Sequence, residues 1–344
     1  MRAKYNKIFN TIIIVCLASV FSGCDNGTSE SHYYNPSPST DYSSPTVPST
    51  PSTTDNGNGY ENSGNTNTSQ NKPASTPLRD STPQVKVPTE GGEKVASQVC
   101  SIDYSNRNEG YILANYFGSN PKVKLQIVGP DSVTYNYDLP NHSTCFALSA
   151  GNGSYKISIY ENISGTKYSL ALTKTIDVAL NNELLPFLYP NQFVDFNSSS
   201  LCISVGQQLA SGAKNDLDVV AKTYNYIINN FKYDYEKAKN LKAGYLPNID
   251  TTMQTKIGIC FDYASVISSI LRSQRIPTRL EIGYAGTEYH AWISVYIKDV
   301  GWINGIIQFS GNTWTMMDPT FASTSRNPIK FIPNKEKYKI SFVY

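Results

Sequence analysis

The chain has little of what metal and cofactor centres are usually made from. Its 344 residues include three histidines, six cysteines, four methionines and three tryptophans. No Cys-x-x-Cys pair and no grouping of histidines occurs, so no zinc-ligand spacing is present and no metal or other cofactor is expected. Charge is scarce too. Asp, Glu, Lys and Arg make up 16% of the chain and the formal balance is +2, which removes the electrostatic basis for nucleic-acid binding. The N-terminal apolar run from Ile8 to Phe21 is too short to cross a bilayer comfortably. From Asp25 to about Val87 aliphatic residues nearly vanish, leaving Ser, Thr, Pro, Asn and Gly with scattered tyrosines. Such a stretch buries too little apolar surface to offset its conformational entropy. Residues 25–92 are therefore expected to be a disordered tether, which as polyproline II would reach on the order of 190 Å.

What is present begins with Arg2, Lys4 and Lys7, which precede the apolar run, and with Phe21-Ser22-Gly23-Cys24, which closes it. A basic start, an apolar middle and small residues make the pattern of a secretory signal. The last four residues resemble a bacterial lipobox, with Phe21 where leucine is usual. That resemblance implies a lipoprotein signal over residues 1–24, lipid on Cys24, and an extracytoplasmic chain held to the membrane by the lipid alone. The other reading is an ordinary signal peptide with an incidental cysteine. With Cys16 lost with the signal and Cys24 lipidated, Cys100, Cys145 and Cys202 remain beside Cys260. A Cys100–Cys145 disulfide suits an exported protein, while buried free cysteines are equally familiar.

Two textures follow the tether. Residues 93–182 alternate with period two between turn residues, as in Tyr155-Lys-Ile157-Ser-Ile159. Seven short strands (96–103, 110–116, 122–128, 133–138, 143–148, 155–160 and 168–178) predict an all-β sandwich of immunoglobulin-like type. Residues 198–344 read differently. Asp216 is placed to cap a helix with Leu217, Val220, Tyr224, Ile227, Ile228 and Phe231 at three-four spacing. A second helix starts at Cys260, turns Ala264, Ile267, Ile270 and Leu271 inward, and stops before Pro277. Strand-like runs follow at 279–284, 290–297, 302–309 and 313–317. Helices first and an antiparallel sheet after them make an α+β domain.

The chemistry concentrates in that second region. Cys260 begins its helix directly after Gly258-Ile259, where free N–H groups favour a thiolate and can hold an oxyanion. Glycine ahead of it would let a substrate backbone approach. His32 falls in the tether, and His142 follows Pro140-Asn141 in a turn. His290, opening a strand, is thus the one histidine placed to take a thiol proton and return it to a leaving amine. Asp318 stands where an apolar strand ends, able to accept from the imidazole and fix its tautomer. Each residue alone has a bland alternative: a helix-cap cysteine, a core histidine, an Asp-Pro turn.

Together with their surroundings they carry a family resemblance. Lys232-Tyr-Asp-Tyr235, Gly258-Ile-Cys260-Phe-Asp262-Tyr263-Ala264, Leu271-Arg-Ser-Gln-Arg275-Ile-Pro277, Gly283-Tyr284, Tyr289-His290-Ala-Trp292 and Trp314 ahead of Asp318-Pro-Thr320 resemble the transglutaminase-like superfamily, including its bacterial cysteine proteases. The resemblance spans about a third of the chain. It implies a papain-like fold, with Cys260 as nucleophile, His290 as base and Asp318 as the group that orients it. Two features depart from the family pattern. Arg275 stands where glycine is usual, and Asn304–Asn312 expands the stretch before Asp318. For the oxyanion side chain Gln254 is a candidate, with Tyr224 or Tyr233 as alternatives. The resemblance implies acyl transfer from a peptide or glutamine-type amide, tilted toward hydrolysis, by a monomer. A non-catalytic surface binding or adhesion module that retains the fold is the rival reading.

Overall fold

The computed structural model describes residues 78–285, 288–310, 313–316 and 338–344. Cys24, the tether up to residue 77, and Asp318 lie outside the described residues. Those described fall in one compact unit.

Alternation in the N-terminal half produces strands β1 (Lys94–Ala96), β2 (Cys100–Asp103), β3 (Tyr111–Tyr116), β4 (Val123–Val128), β5 (Thr134–Asp138), β6 (Thr144–Ala147), β7 (Gly153–Ser164) and β8 (Lys167–Val178). They make two four-stranded sheets, ordered β1-β2-β3-β6 and β5-β4-β7-β8. The strand expected at 96–103 is split, because Ser97 N–H closes a turn onto the Cys100 carbonyl. On β4, Val123, Leu125 and Ile127 are buried while Lys124 and Gln126 are not, so one face enters the core. Ile102, Ile112 and Phe146 from one sheet share a hydrophobic cluster with Leu125, Ile127 and Ile157 from the other.

The Cys100–Cys145 pairing is ruled out. Both cysteines are free, and strand β3 runs between them, with Cys100 opposite Tyr116 and Cys145 opposite Leu113. Two strand spacings across and three residues along β3 put their Cα atoms roughly 14 Å apart, beyond the reach of a disulfide.

The C-terminal half runs α1 (Leu201–Ala210), α2 (Asp216–Asn230), β9 (Lys232–Tyr233), α3 (Tyr235–Lys239), α4 (Ile249–Thr255), β10 (Ile257–Gly258) and α5 (Cys260–Ser273). Five strands complete it: β11 (Thr278–Ala285), β12 (Glu288–Ile297), β13 (Gly301–Ser310), β14 (Thr313–Met316) and β15 (Tyr338–Val343), in sheet order β14-β13-β12-β11-β15. The cap of α2 is Asn215, whose side chain accepts from Asp218 N–H, rather than Asp216. Within the expanded stretch, residues 304–310 belong to β13, which pairs with β14, Ser310 opposite Thr313.

All 14 residues of α5 are buried, not one stripe, because α1, α2 and α4 pack on it together with β11 and β12. Three of its four serines satisfy themselves: Ser265, Ser269 and Ser273 donate to the carbonyls of Phe261, Val266 and Ile270.

The end of the expected tether is ordered. Residues from Arg79 onward run along α2 and α5: Arg79 N–H donates to the Ala213 carbonyl, its guanidinium pairs with Asp216, and Gln84 N–H donates to the Ser273 carbonyl. Low aliphatic content hid this, since main-chain and arginine hydrogen bonds hold the strap in place of apolar burial. Arg275 takes part as well. It sits just past α5 in the left-handed region, φ 65°, which explains why glycine is usual there. Its side chain donates to the carbonyls of Asp80 and Thr82, a return for the backbone strain that glycine could not give.

Candidate active site

Short-range pairing sets the approach to Cys260. Strands β9 and β10 are parallel, with Tyr233 opposite Gly258, and Asp234 N–H donates to the Gly258 carbonyl at 2.9 Å. This two-residue ladder carries Tyr233 to the start of α5. Gly258 is required for packing rather than for substrate approach. A Cβ there would lie 2.8 Å from Asp262 Cβ and 3.1 Å from the Tyr263 ring.

Asp262 is fully buried in the first turn of α5 and accepts from Ile259 N–H at 2.8 Å. A carboxylate at this end of a helix complements the helix dipole. Its charge is met by Lys237 Nζ at 2.7 Å, and the Tyr245 hydroxyl donates to its other oxygen. Lys237 in turn lies over the Tyr245 ring, 4.3 Å from its centroid. The sequence motif contained Asp262 but gave no sign of this buried Lys-Asp-Tyr cluster, since its partners come from a separate helix and loop.

Cys260 is 9% exposed. Its thiol is not lowered, as the helix end alone would imply. Burial pushes it up, and this outweighs the main-chain N–H groups of Ala291 and Phe261 and the Tyr233 hydroxyl, all of which favour the thiolate. Tyr233 also accepts from the main-chain N–H of Cys260, and burial beside the cysteine pushes its phenol well up. A hydroxyl and a main-chain N–H thus converge beside the sulfur.

The hydrogen bond from Ala291 brings the preceding residue, His290, into the same neighbourhood. His290 is half-buried on β12 and pairs across the sheet with Gly283. Gly283 sits at a bulge against β15, where a Cβ would be 2.0 Å from the Lys339 carbonyl oxygen, so only glycine fits. It also leaves the cross-strand neighbour of His290 without a side chain.

The sequence reading missed Glu281. It is 1% exposed, lies opposite Trp292, and accepts from Trp292 Nε1 at 2.7 Å and Ser294 Oγ at 2.8 Å. Burial pushes its carboxyl up. The available signal was a charged residue inside the alternating run Leu280-Glu281-Ile282. Trp292 and Ser294 alternate with His290 along one face of β12, so Glu281 fixes the ring two residues from the imidazole.

The other expected residues are placed as follows. Gln254 is exposed on α4, and Tyr224 is half-buried on α2. It is Tyr233 that stands against the cysteine. Asp318 comes two residues after the end of β14 and lies outside the described residues. His142 is exposed in the turn between β5 and β6. Among the described residues no group of His, Cys, Asp and Glu could hold a metal ion.

Residues 203–305 match the family model of the transglutaminase-like superfamily, and this stretch, which holds Cys260 and His290, is a transglutaminase-like domain. The UPF0252 protein MJ1282 of Methanocaldococcus jannaschii is 32% identical over 98 residues, 25% of this chain; the match spans 27% of that protein's length. The chain is similar to a candidate cysteine protease from Cytophaga hutchinsonii with 16% identity and a TM-score of 0.31, over 57% of this chain and 65% of that one. The periplasmic domain of TgpA from Pseudomonas aeruginosa aligns with 13% identity and a TM-score of 0.29, over 69% of this chain and 98% of that one.

Proposed function

We propose that the transglutaminase-like domain is a cysteine acyl-transfer enzyme in which Cys260 attacks a peptide or glutamine-type amide, His290 moves the proton and Asp318 orients His290. The observation that carries this is the convergence at Cys260 of a helix N-terminus, the Ala291 N–H beside His290, and the Tyr233 hydroxyl. A thiol pushed up by burial does not ionise alone at neutral pH, so the thiolate is made by transfer of its proton to the imidazole. The thiolate adds to the amide carbonyl. The oxyanion is held by the Tyr233 hydroxyl and the Cys260 N–H. The C–N bond then breaks as the imidazolium protonates the departing amine, leaving a thioester. Water as acceptor gives hydrolysis, the outcome we favour, and an amine gives cross-linking.

The chain is placed outside the cell by its N-terminal pattern, with lipid on Cys24. The two N-terminal sheets, read as an immunoglobulin-like sandwich, lie between Cys24 and the enzyme in the sequence. Among the described residues no helix is long and apolar enough to cross a membrane. Palmitate should label wild type and not Cys24→Ser, and an unlabelled wild type refutes the anchor.

The pH profile of iodoacetamide alkylation tests the chemistry. Wild-type Cys260 should react at pH 7 as a thiolate paired with imidazolium. In His290→Ala the thiol must ionise unaided, with its pKa raised above the ordinary value of 9.0. Reactivity should then fall about 100-fold at pH 7 and recover only above pH 9. Equal, sluggish labelling of every cysteine would leave the binding-module reading in its place.

A further inference from the structure

One residue along the chain from each member of the reacting pair, at Phe261 and Tyr289, the molecule has a cavity of about 300 Å³ whose wall is shared between its two halves. Strand β4 accompanies β7 only as far as Glu161, opposite Val123, whereas β7 and β8 go on pairing to Ser164 and Lys167. Their ends thus project as a two-stranded ribbon beyond the sheet. The ribbon's Gly165, Thr166 and Tyr168 form part of the cavity wall. Phe261 and Tyr289, the immediate neighbours of Cys260 and His290, form another part. Between them lie Tyr137, Phe193 and Tyr344, packed ring to ring: Phe193 is 5.7 Å from Tyr137, 4.4 Å from Tyr344 and 5.5 Å from Phe261.

We infer that this cavity is a specificity pocket that takes one large uncharged apolar or aromatic side chain of the substrate polypeptide, next to the amide that Cys260 attacks. The inference rests on the acyl-transfer reading of Cys260. Three observations fix the chemistry of the occupant. The wall is rich in aromatic rings, which bind apolar and π surfaces. The two charged residues in it, Lys124 and Asp138, are ion-paired to each other and leave no net charge to attract a lysine, arginine or carboxylate. The volume is at the small end of ligand pockets, room for a side chain rather than for a docked protein. Placement gives the role: the cavity reaches Phe261, which follows Cys260 on α5, and Tyr289, which precedes His290 on β12. The N-terminal sheets therefore take part in substrate choice as well as spacing.

Chloromethyl ketones of N-acetylphenylalanine, N-acetylalanine and N-acetyllysine test the pocket without a known substrate, through the rate at which each alkylates Cys260 in the full chain. The phenylalanine reagent should react at least about tenfold faster than the alanine and lysine reagents, the gain from burying one aromatic side chain. Thr166→Trp, a change at an exposed hairpin turn whose folding a melting curve verifies, should fill the pocket and remove the phenylalanine preference. Tyr168→Ala should do the opposite, speeding an N-acetylnaphthylalanine reagent relative to the phenylalanine one. Equal phenylalanine and alanine rates, a fastest lysine reagent, or a preference untouched by both substitutions overturns the pocket while Cys260 remains an activated thiol. Failure of every reagent to reach Cys260 overturns the acyl-transfer reading and the pocket with it.

Discussion

Arg272→Met should remove about 3–5 kcal/mol of stability, a large share of the roughly 5–15 kcal/mol that holds a folded domain. Arg272 is 1% exposed, near the end of the central helix α5. Its guanidinium donates to the Tyr189 carbonyl at 2.7 Å, to the Thr278 carbonyl at 2.8 and 3.1 Å, and to the Tyr344 carbonyl at 2.8 Å. Those oxygens belong to the segment leading out of the N-terminal sheets, to the start of β11 and to the end of β15. One side chain therefore ties the two halves and the sheet edge to one helix. The cost of keeping this cation dry is visible in its pKa, which burial lowers from the ordinary arginine value to about 9. Methionine removes that desolvation cost and keeps most of the volume, yet it takes the guanidinium donors from the buried carbonyls of Tyr189 and Thr278, at about 1–3 kcal/mol for each left unpaired, and leaves the Tyr344 carbonyl with Leu280 N–H alone, so the penalty exceeds the relief. Lysine should rescue little, because a compact ammonium cannot span three acceptors that a planar fork reaches. Urea unfolding of wild type, Arg272→Met and Arg272→Lys measures this. A loss below about 1 kcal/mol for methionine would show that the carbonyls find other partners.

The family motif already contained Arg272 as the residue after Leu271, but its task was not readable. All its acceptors are main-chain oxygens far away in sequence, and main-chain positions leave no compositional trace. The same reason separates what was legible from what was not elsewhere. The helix from Cys260 announced itself through its apolar spacing and Pro277, and the strands of the N-terminal sheets through period two. Helix α1 and strand β15 were not expected. The pairing of β15 is entirely long-range, with Leu280 and Tyr344 exchanging hydrogen bonds, and its exposed Ile340 weakens any alternating signal. The thiol was misjudged for a related reason. The helix dipole is a local property that a motif reveals, whereas burial of Cys260 depends on β12 folding across it, and burial is the larger effect. The strap from Arg79 to Gln84 shows the limit of composition: a segment poor in aliphatic residues is held by two arginines, Arg79 and Arg275, and a few main-chain bonds.

The oxyanion group was left open among Gln254, Tyr224 and Tyr233, and the structure separates them sharply enough for a decisive experiment. Tyr233→Phe should lower amide turnover by about 10²–10³-fold, the usual cost of losing one preorganised donor to a tetrahedral oxyanion. Gln254→Ala should change it by less than about threefold, because Gln254 is exposed on α4. The argument turns on which charge each group meets. Tyr233 stands against Cys260, where its hydroxyl contacts both the sulfur and the main-chain N–H. When the carbonyl of the substrate becomes an oxyanion beside that N–H, the hydroxyl can donate to it without moving the backbone, since the β9–β10 ladder fixes the position of Tyr233 relative to Gly258. Phenylalanine keeps the ring and its edge contact with Tyr235, 5.0 Å between centroids, and removes only the donor. Alkylation of Cys260 by iodoacetamide passes through no oxyanion, so it should slow far less than turnover, by the modest amount that the lost hydrogen bond to the thiolate represents. Parallel losses in both rates would mean that Tyr233 acts on the thiolate rather than on the carbonyl. A severe loss in Gln254→Ala with an active Tyr233→Phe would mean that α4 moves its glutamine into the site when substrate binds.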